Sequence, residues 1–281
     1  MPSATARRPA RSVHLRRRAI AGRASWFALT VVCAAALGAE ALAEADVRAR
    51  VTEVVDGDTV VLERAVDGAD QVRLVGIQAP KLALGREGFT AWPLAEESRS
   101  ALVRLVEGRL VRLVPGDNPG DRHGRILANL FVDDTLWVQG EMLRLGMARV
   151  YTFADNRLRV TEILALEGAA RAARRGIWGH PFYAVRAPAE TGRHLNSFQL
   201  VEGRILDAAQ VRTRVYLNFG PDWRTDFTVT LDSAARRLFR EAGFDPLSLE
   251  GRRVRVRGWL RDFNGPLIEA THPEQIEVLE P

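Results

Sequence analysis

Two acids separated by one glycine, Asp56 and Asp58, lie in "VVDGDTVVL" (54–62), and further on Arg73 opens "RLVGIQAP" just ahead of Lys81. Later, "DRHGR" (121–125) contains His123 and ends in Arg125. Carboxylates, guanidinium groups and an imidazole are the parts from which a phosphate-handling site is assembled. In such a site a strand running into a proline corner is where further carboxylates are expected, yet the polar residues of this corner are Gln78 and Lys81. Each group also has a plainer reading. Asp56 and Asp58 suit a hairpin turn, Arg73 can pair with an acid on a neighbouring strand, and Arg125 after a glycine can be a solvated turn residue. His123 has an unperturbed pKa suited to a general base, and it can equally be a turn histidine. Glu87, Glu96 and Glu97 can reach the corner from a loop and a helix start, although acids in a first helical turn already have a dipole reason to be there.

The elements that would position these groups are mostly strands. From Val47 to about Leu113, β-branched runs alternate with Asp-Gly turns of the hairpin-forming kind. "EESRSALVRLVE" (96–107) places Ala101, Leu102, Leu105 and Val106 on one helical face, with Gly108 as a stop. "RLVRLVP" and "RILANLFV" read as two more strands, and helical patterns follow at 137–150 and 160–178. Residues 180–198 lose periodicity and read as a linker. Beyond them, three strands, a helix and two strands follow in the order of a small five-stranded barrel. In "RRVRVRGW", alternation sends Val254 and Val256 to one face and Arg253, Arg255 and Arg257 to the other. With Tyr216, Trp223, Trp259 and Phe263 this face reads either as a single-strand-binding groove or as an edge strand kept soluble by arginine.

Composition constrains the partners. The chain of 281 residues carries a formal charge of +5, but its first 43 residues hold seven arginines and one acid, leaving 33 basic and 34 acidic groups in the remainder. A net charge of −1 beyond residue 43 gives no warrant for tight, unspecific nucleic-acid binding, so a basic patch would have to be local. Those 43 residues combine an arginine-rich start, the apolar run "ASWFALTVVCAAALGA" (24–39) and Ala41-Leu42-Ala43, the pattern of a signal peptide. Export to the periplasm or medium is the expectation, with an uncleaved anchor as alternative and no membrane span after cleavage. Cys33 is the only cysteine, so the remainder has no disulfide, thiol nucleophile or cysteine-ligated metal.

"VVDGDTVVL", "VRLVGIQAP" (72–80), "DRHGR", "VQGEMLRLGMARV" (138–150) and "EGAARAARRGIWG" (167–179) occur in the order of the staphylococcal nuclease-like, or thermonuclease, family, which this chain resembles over about Val47–Gly179. The resemblance implies an OB-type barrel capped by helices and a calcium-dependent phosphodiesterase acting on DNA and RNA. It matches Asp58 to a metal-binding aspartate, and Arg73 and Arg125 to the arginines that grip the scissile phosphate. Gln78 stands in place of a second metal-binding aspartate, Ala79 in place of a threonine whose carbonyl reaches the metal, and Lys81 in place of the glutamate that activates water. Calcium takes six to eight oxygens. Gln78 offers it an oxygen without charge, and Lys81 reads as a catalytic base if its pKa is lowered by the neighbouring arginines, as a third phosphate contact if it stays charged, or as a surface residue. The expected organisation is an α+β, mainly β chain: signal peptide 1–43, nuclease-like barrel 44–179, linker 180–198 and a smaller OB-like barrel 199–281. The expected ligand is nucleic acid or another phosphodiester. A phosphodiesterase and a catalytically inactive envelope module remain the two alternatives.

Overall fold

The computed structural model describes residues 47–279, so the expected signal peptide and Cys33 lie outside the described residues. The first sheet is built from β1 (Val47–Asp56), β2 (Thr59–Val66) and β3 (Ala69–Leu74). A two-residue strand β4 (Ile77–Gln78) and the helix α1 (Ala95–Val106) follow, then β5 (Leu110–Gly120), β6 (Ile126–Val132) and β7 (Leu136–Trp137). The β1–β2 and β1–β5 pairings are antiparallel, as are β2–β3 and β5–β6. The circuit closes because β3 pairs β6 in parallel, Val72 with Ile126 and Arg73 with Leu127. This is a closed five-stranded barrel, as the family resemblance implied. Val51, Val54, Val60, Leu62, Val72 and Leu74 point into it, and Ala101, Leu102 and Val106 of α1 cover one end. Each fully buried aliphatic side chain contributes on the order of 1.5–3 kcal/mol, and these supply the stability that cysteines do not.

The next stretch departs from the expected helix over 137–150. Only α2 (Val138–Arg144) is helical, Gly146 turns the chain with φ 68°, and β8 (Arg149–Val150) returns as a strand pairing β4. A Cβ at Gly146 would lie 2.3 Å from the carbonyl oxygen of Arg175, so only glycine fits there. The helix α3 (Val160–Ala172) likewise stops short of 178, and Gly176–Gly179 forms a 3-10 turn. Residues 180–198 are a packed connector. They carry two more 3-10 segments, and the buried Tyr183 donates its hydroxyl to the carbonyl of Pro93 at 2.7 Å.

The second sheet comprises β9 (Ser197–Arg204), β10 (Asp207–Val211), β11 (Arg214–Asn218) and β12 (Thr228–Leu231). After the helix α4 (Ser233–Glu241) come β13 (Arg253–Asp262), β14 (Pro266–Glu269) and β15 (Ile276–Val278). It has seven strands where five were expected. The first strand breaks at Ile205–Leu206 into β9, which pairs β13, and β10, which pairs β11. β15 adds beside β13 as a further segment. With β9 and β10 counted as one bent strand, the order of pairing repeats that of the first barrel, including a parallel closure of β12 on β14. Phe227, Phe239, Val229 and Leu260 fill its interior. Among the described residues no helix is long and apolar enough to cross a membrane.

Candidate functional site

The Asp56-Gly57-Asp58 turn joins β1 to β2 with Asp56 opposite Thr59. Gly57 is required by close approach, since a Cβ there would lie 2.0 Å from Ser98 Oγ and 2.7 Å from Ala79 Cβ. That contact presses the turn onto α1 and onto the proline corner, and it drives Asp58 inward. Asp58 is 0% exposed. Its Oδ2 accepts the Ala79 N–H at 2.6 Å, and its Oδ1 accepts the Thr59 hydroxyl at 3.2 Å. Lys81 Nζ spans both oxygens, at 2.7 Å and 2.8 Å, and also reaches Asp56 Oδ2 at 3.0 Å. Burial alone would raise the Asp58 carboxyl, but Arg73 and Lys81 outweigh it and hold it well below the usual carboxylate range. Asp56 moves the other way, raised by its own burial and by the Asp58 charge.

Arg73 emerges from β3 beside this turn and folds back on it. Its Nη2 lies 3.2 Å from Asp58 Oδ2 and donates to the Ile77 carbonyl at 2.6 Å. Its Nη1 donates to the carbonyls of Leu74 at 2.5 Å and Asp58 at 3.4 Å. Three hydrogen bonds and one ion pair thus engage the guanidinium within the chain. Arg125 precedes β6 and shares the outer face of the barrel with Arg73, about 7 Å along the strand by the parallel register. Its guanidinium pairs with Asp121, Nη2 to Oδ2 at 2.6 Å and Nε at 2.8 Å. The structure therefore brings Asp58, Arg73 and Lys81 into one cluster and keeps Arg125 nearby on the same face with its own carboxylate.

Gln78 does not join the cluster. Its Oε1 accepts from Arg149 Nε at 3.0 Å and Nη2 at 2.7 Å, across the β4–β8 pairing. The expected metal ligand is an acceptor for a buried cation, because β8 places a guanidinium opposite it. Lys81, expected as a phosphate contact, faces inward because two acids lie within its reach. His123 is exposed, donates its backbone N–H to Asp121 Oδ1, and behaves as a turn residue. Glu87, Glu96 and Glu97 are exposed, the last two in the first turn of α1.

Calcium does not fit the residues present. A carboxylate offers about four lone-pair positions, and those of Asp58 are filled by an ammonium, a guanidinium, an amide and a hydroxyl. The second oxygen donor, Gln78, is turned to Arg149. Among the described residues no cluster of three or more His, Cys, Asp or Glu side chains could hold a metal ion. No metal-dependent step is derived for this site.

The arginine row of β13 is also accounted for. Arg253 and Arg255 pair with Glu202 at 2.7 and 2.9 Å, and Arg255 also meets Glu277 at 3.3 Å. Arg257, 1% exposed, pairs with Glu167 of α3 at 2.8 Å and with Glu277 at 2.5 Å. At Arg257 the polar face of β13 forms a seam against α3, while Arg253 at its open end is half exposed. Alternation revealed the face and not its cover.

A closed five-stranded barrel with a parallel closure, an acid pair in its first hairpin turn and two arginines on its outer face define a nuclease-type barrel. The profile of the family described as "Staphylococcal nuclease homologue" matches residues 71–180. Protein ParB of Escherichia coli is 35% identical over 146 residues, which cover 49% of this chain and 75% of that protein. An uncharacterized endonuclease of Escherichia coli is 32% identical over 135 residues, 48% of this chain and 78% of that protein. A probable staphylococcal-like nuclease, CAN2, of Oryza sativa subsp. japonica is 34% identical over 113 residues, only 27% of its own length. The chain belongs to the staphylococcal nuclease family. It spans about a quarter of the rice relative and about three quarters of the bacterial ones.

Proposed function

We propose that this chain is an exported member of the family that binds the phosphodiester backbone of nucleic acid without hydrolysing it. The observation that carries the reading is the Lys81 ammonium seated across both oxygens of Asp58. Hydrolysis of the family type needs a carboxylate free for a metal and a second acid for the water. Here the carboxylate is neutralised from within and the acid's place is held by the neutralising lysine. Support for a nucleic-acid partner comes from family membership and from Arg125, with the exposed Arg122 beside it on the β5–β6 turn. A phosphate at that turn competes with Asp121 for one guanidinium, a modest barrier for a partly exposed pair.

The test is binding and cutting of a labelled single-stranded oligonucleotide in chelator and in calcium. Binding that is equal in both, weakens with salt, falls in Arg125→Ala and yields no products is the expected result. Products in calcium would overturn the reading. No binding even at low salt would leave a structural module of the envelope.

A further inference from the structure

Arg149 is the most deeply buried cation near the site, 5% exposed, and among the described residues no carboxylate lies within salt-bridge reach of it. Its three hydrogen bonds go to neutral acceptors instead. Nε and Nη2 share the Gln78 amide oxygen, and Nη1 donates at 3.1 Å to the carbonyl of Phe198, the second residue of β9. The guanidinium is boxed by rings, with its centre 4.6 Å from Phe198, 5.5 Å from Trp92 and 6.0 Å from Tyr183. Burial pulls its pKa down to about 10, with only weak opposition from Tyr183 and Glu167. A buried cation resting on amide and carbonyl dipoles is held by its geometry, since no partner charge compensates for lost contacts.

These contacts come from four separate parts of the chain. Gln78 lies on the proline corner, next to the Ala79 N–H that binds Asp58 and three residues from Lys81. Phe198 begins the second sheet, Tyr183 is in the connector and Trp92 is in the loop before α1. We infer that Arg149 is a positioning residue that fastens the corner carrying Gln78 to the start of the second sheet, so that a carboxylate restored at position 78 would be captured by Arg149 instead of being presented to a metal. The second sheet is on this view a fixed wall of the corner. The inference is independent of what the site binds.

The cycle Gln78→Glu, Arg149→Met and their combination, followed by thermal unfolding in chelator and in calcium, tests it. Gln78→Glu keeps the side-chain shape and gives Arg149 a charged partner. The expected result is a rise in Tm of about 5 °C, the same in calcium as in chelator. In the Arg149→Met background the same substitution is expected to lower Tm, because the new carboxylate is buried without a partner. A purely structural role for each residue would not reverse the sign. Arg149→Lys keeps the cycle readable where Arg149→Met does not fold, with the Gln78→Glu gain reduced but positive. Equal shifts in both backgrounds, or a calcium-dependent rise in Gln78→Glu alone, would overturn the inference. Amide exchange supplies a second measure: faster exchange across 180–198 and the first residues of β9 in Arg149→Lys is expected, and unchanged exchange there would count against it.

Discussion

Replacing Lys81 by methionine keeps an unbranched apolar stem and removes the ammonium with its hydrogen bonds to Asp56 and Asp58. The structure makes the cost calculable. Asp58 is wholly buried and loses its contact at 2.7 Å, while Lys81 itself is 20% exposed, so water can enter part of the space. Breaking a buried pair costs about 3–5 kcal/mol, and the exposed side places this one near 3 kcal/mol. For a protein of this size that corresponds to a fall in Tm of about 6–12 °C. The pH dependence separates this mechanism from a mere packing defect. In the native protein the Asp58 carboxyl lies below its unfolded value, so its contribution is present above the ordinary carboxylate range and is lost as pH falls through it. Without the ammonium, burial has less opposition and the folded carboxyl rises. The variant can then protonate Asp58 at little cost, and the gap between the two proteins should narrow from pH 7 towards pH 4. Thermal unfolding by circular dichroism at several pH values measures this. A gap that is constant with pH, or no gap at pH 7, would refute the argument that Lys81 is present to neutralise Asp58.

Other expectations follow from the same geometry. His272 is buried between Thr152, 2.7 Å from Nε2, and Thr271, 2.9 Å from Nδ1, and burial lowers its pKa to about 4. The neutral ring is thus favoured in the folded state, so its contribution is complete above about pH 6.5 and declines as pH falls to 4, by about 3 kcal/mol in all. Urea unfolding of His272→Gln should show a flatter slope across that window. Glu167→Ala strips the buried Arg257 of its partner on α3 and should cost about 3–5 kcal/mol in urea unfolding, whereas Arg253→Ala, 50% exposed, should cost under about 1 kcal/mol. Gly57→Ala forces the turn away from Ser98 and Ala79, and a loss of about 1–3 kcal/mol in thermal unfolding is expected.

The strands of the first barrel, α1 and α4 were legible because each rests on local signals: β-branched runs, Asp-Gly turns and a 3.6-residue period. The acid turn, Arg73 and Arg125 were legible for the same reason, as short segments that read on their own. What stayed hidden depends on partners distant in sequence. Gln78 meets Arg149 across 71 residues, and β8 lay concealed at the end of a helical pattern. Gly146 followed by the alternating "MARVY" was the available signal for that strand. The inward turn of Lys81 is set by Asp56 and Asp58, more than twenty residues earlier. The arginines of β13 show the limit most plainly. Alternation fixes which way a side chain points, but whether that side meets water or another element is decided by α3, 90 residues away.

The seam between β13 and α3 also sets an order of events as the chain is made. Glu167 emerges from synthesis 90 residues before Arg257, and Arg157 emerges 117 residues before Glu274. Until the last strands arrive, these groups stand in water as ordinary solvated ions at no cost. The first barrel can close on its own nearer pairings, while drying of the seam must wait for Arg257 and Glu277. Contacts of such long range slow the last stage of folding, so a nascent chain passes through a state with one barrel formed and its charged flank open. A protease that cuts the growing chain near 180–198 faster than the finished one would be the signature of that delay.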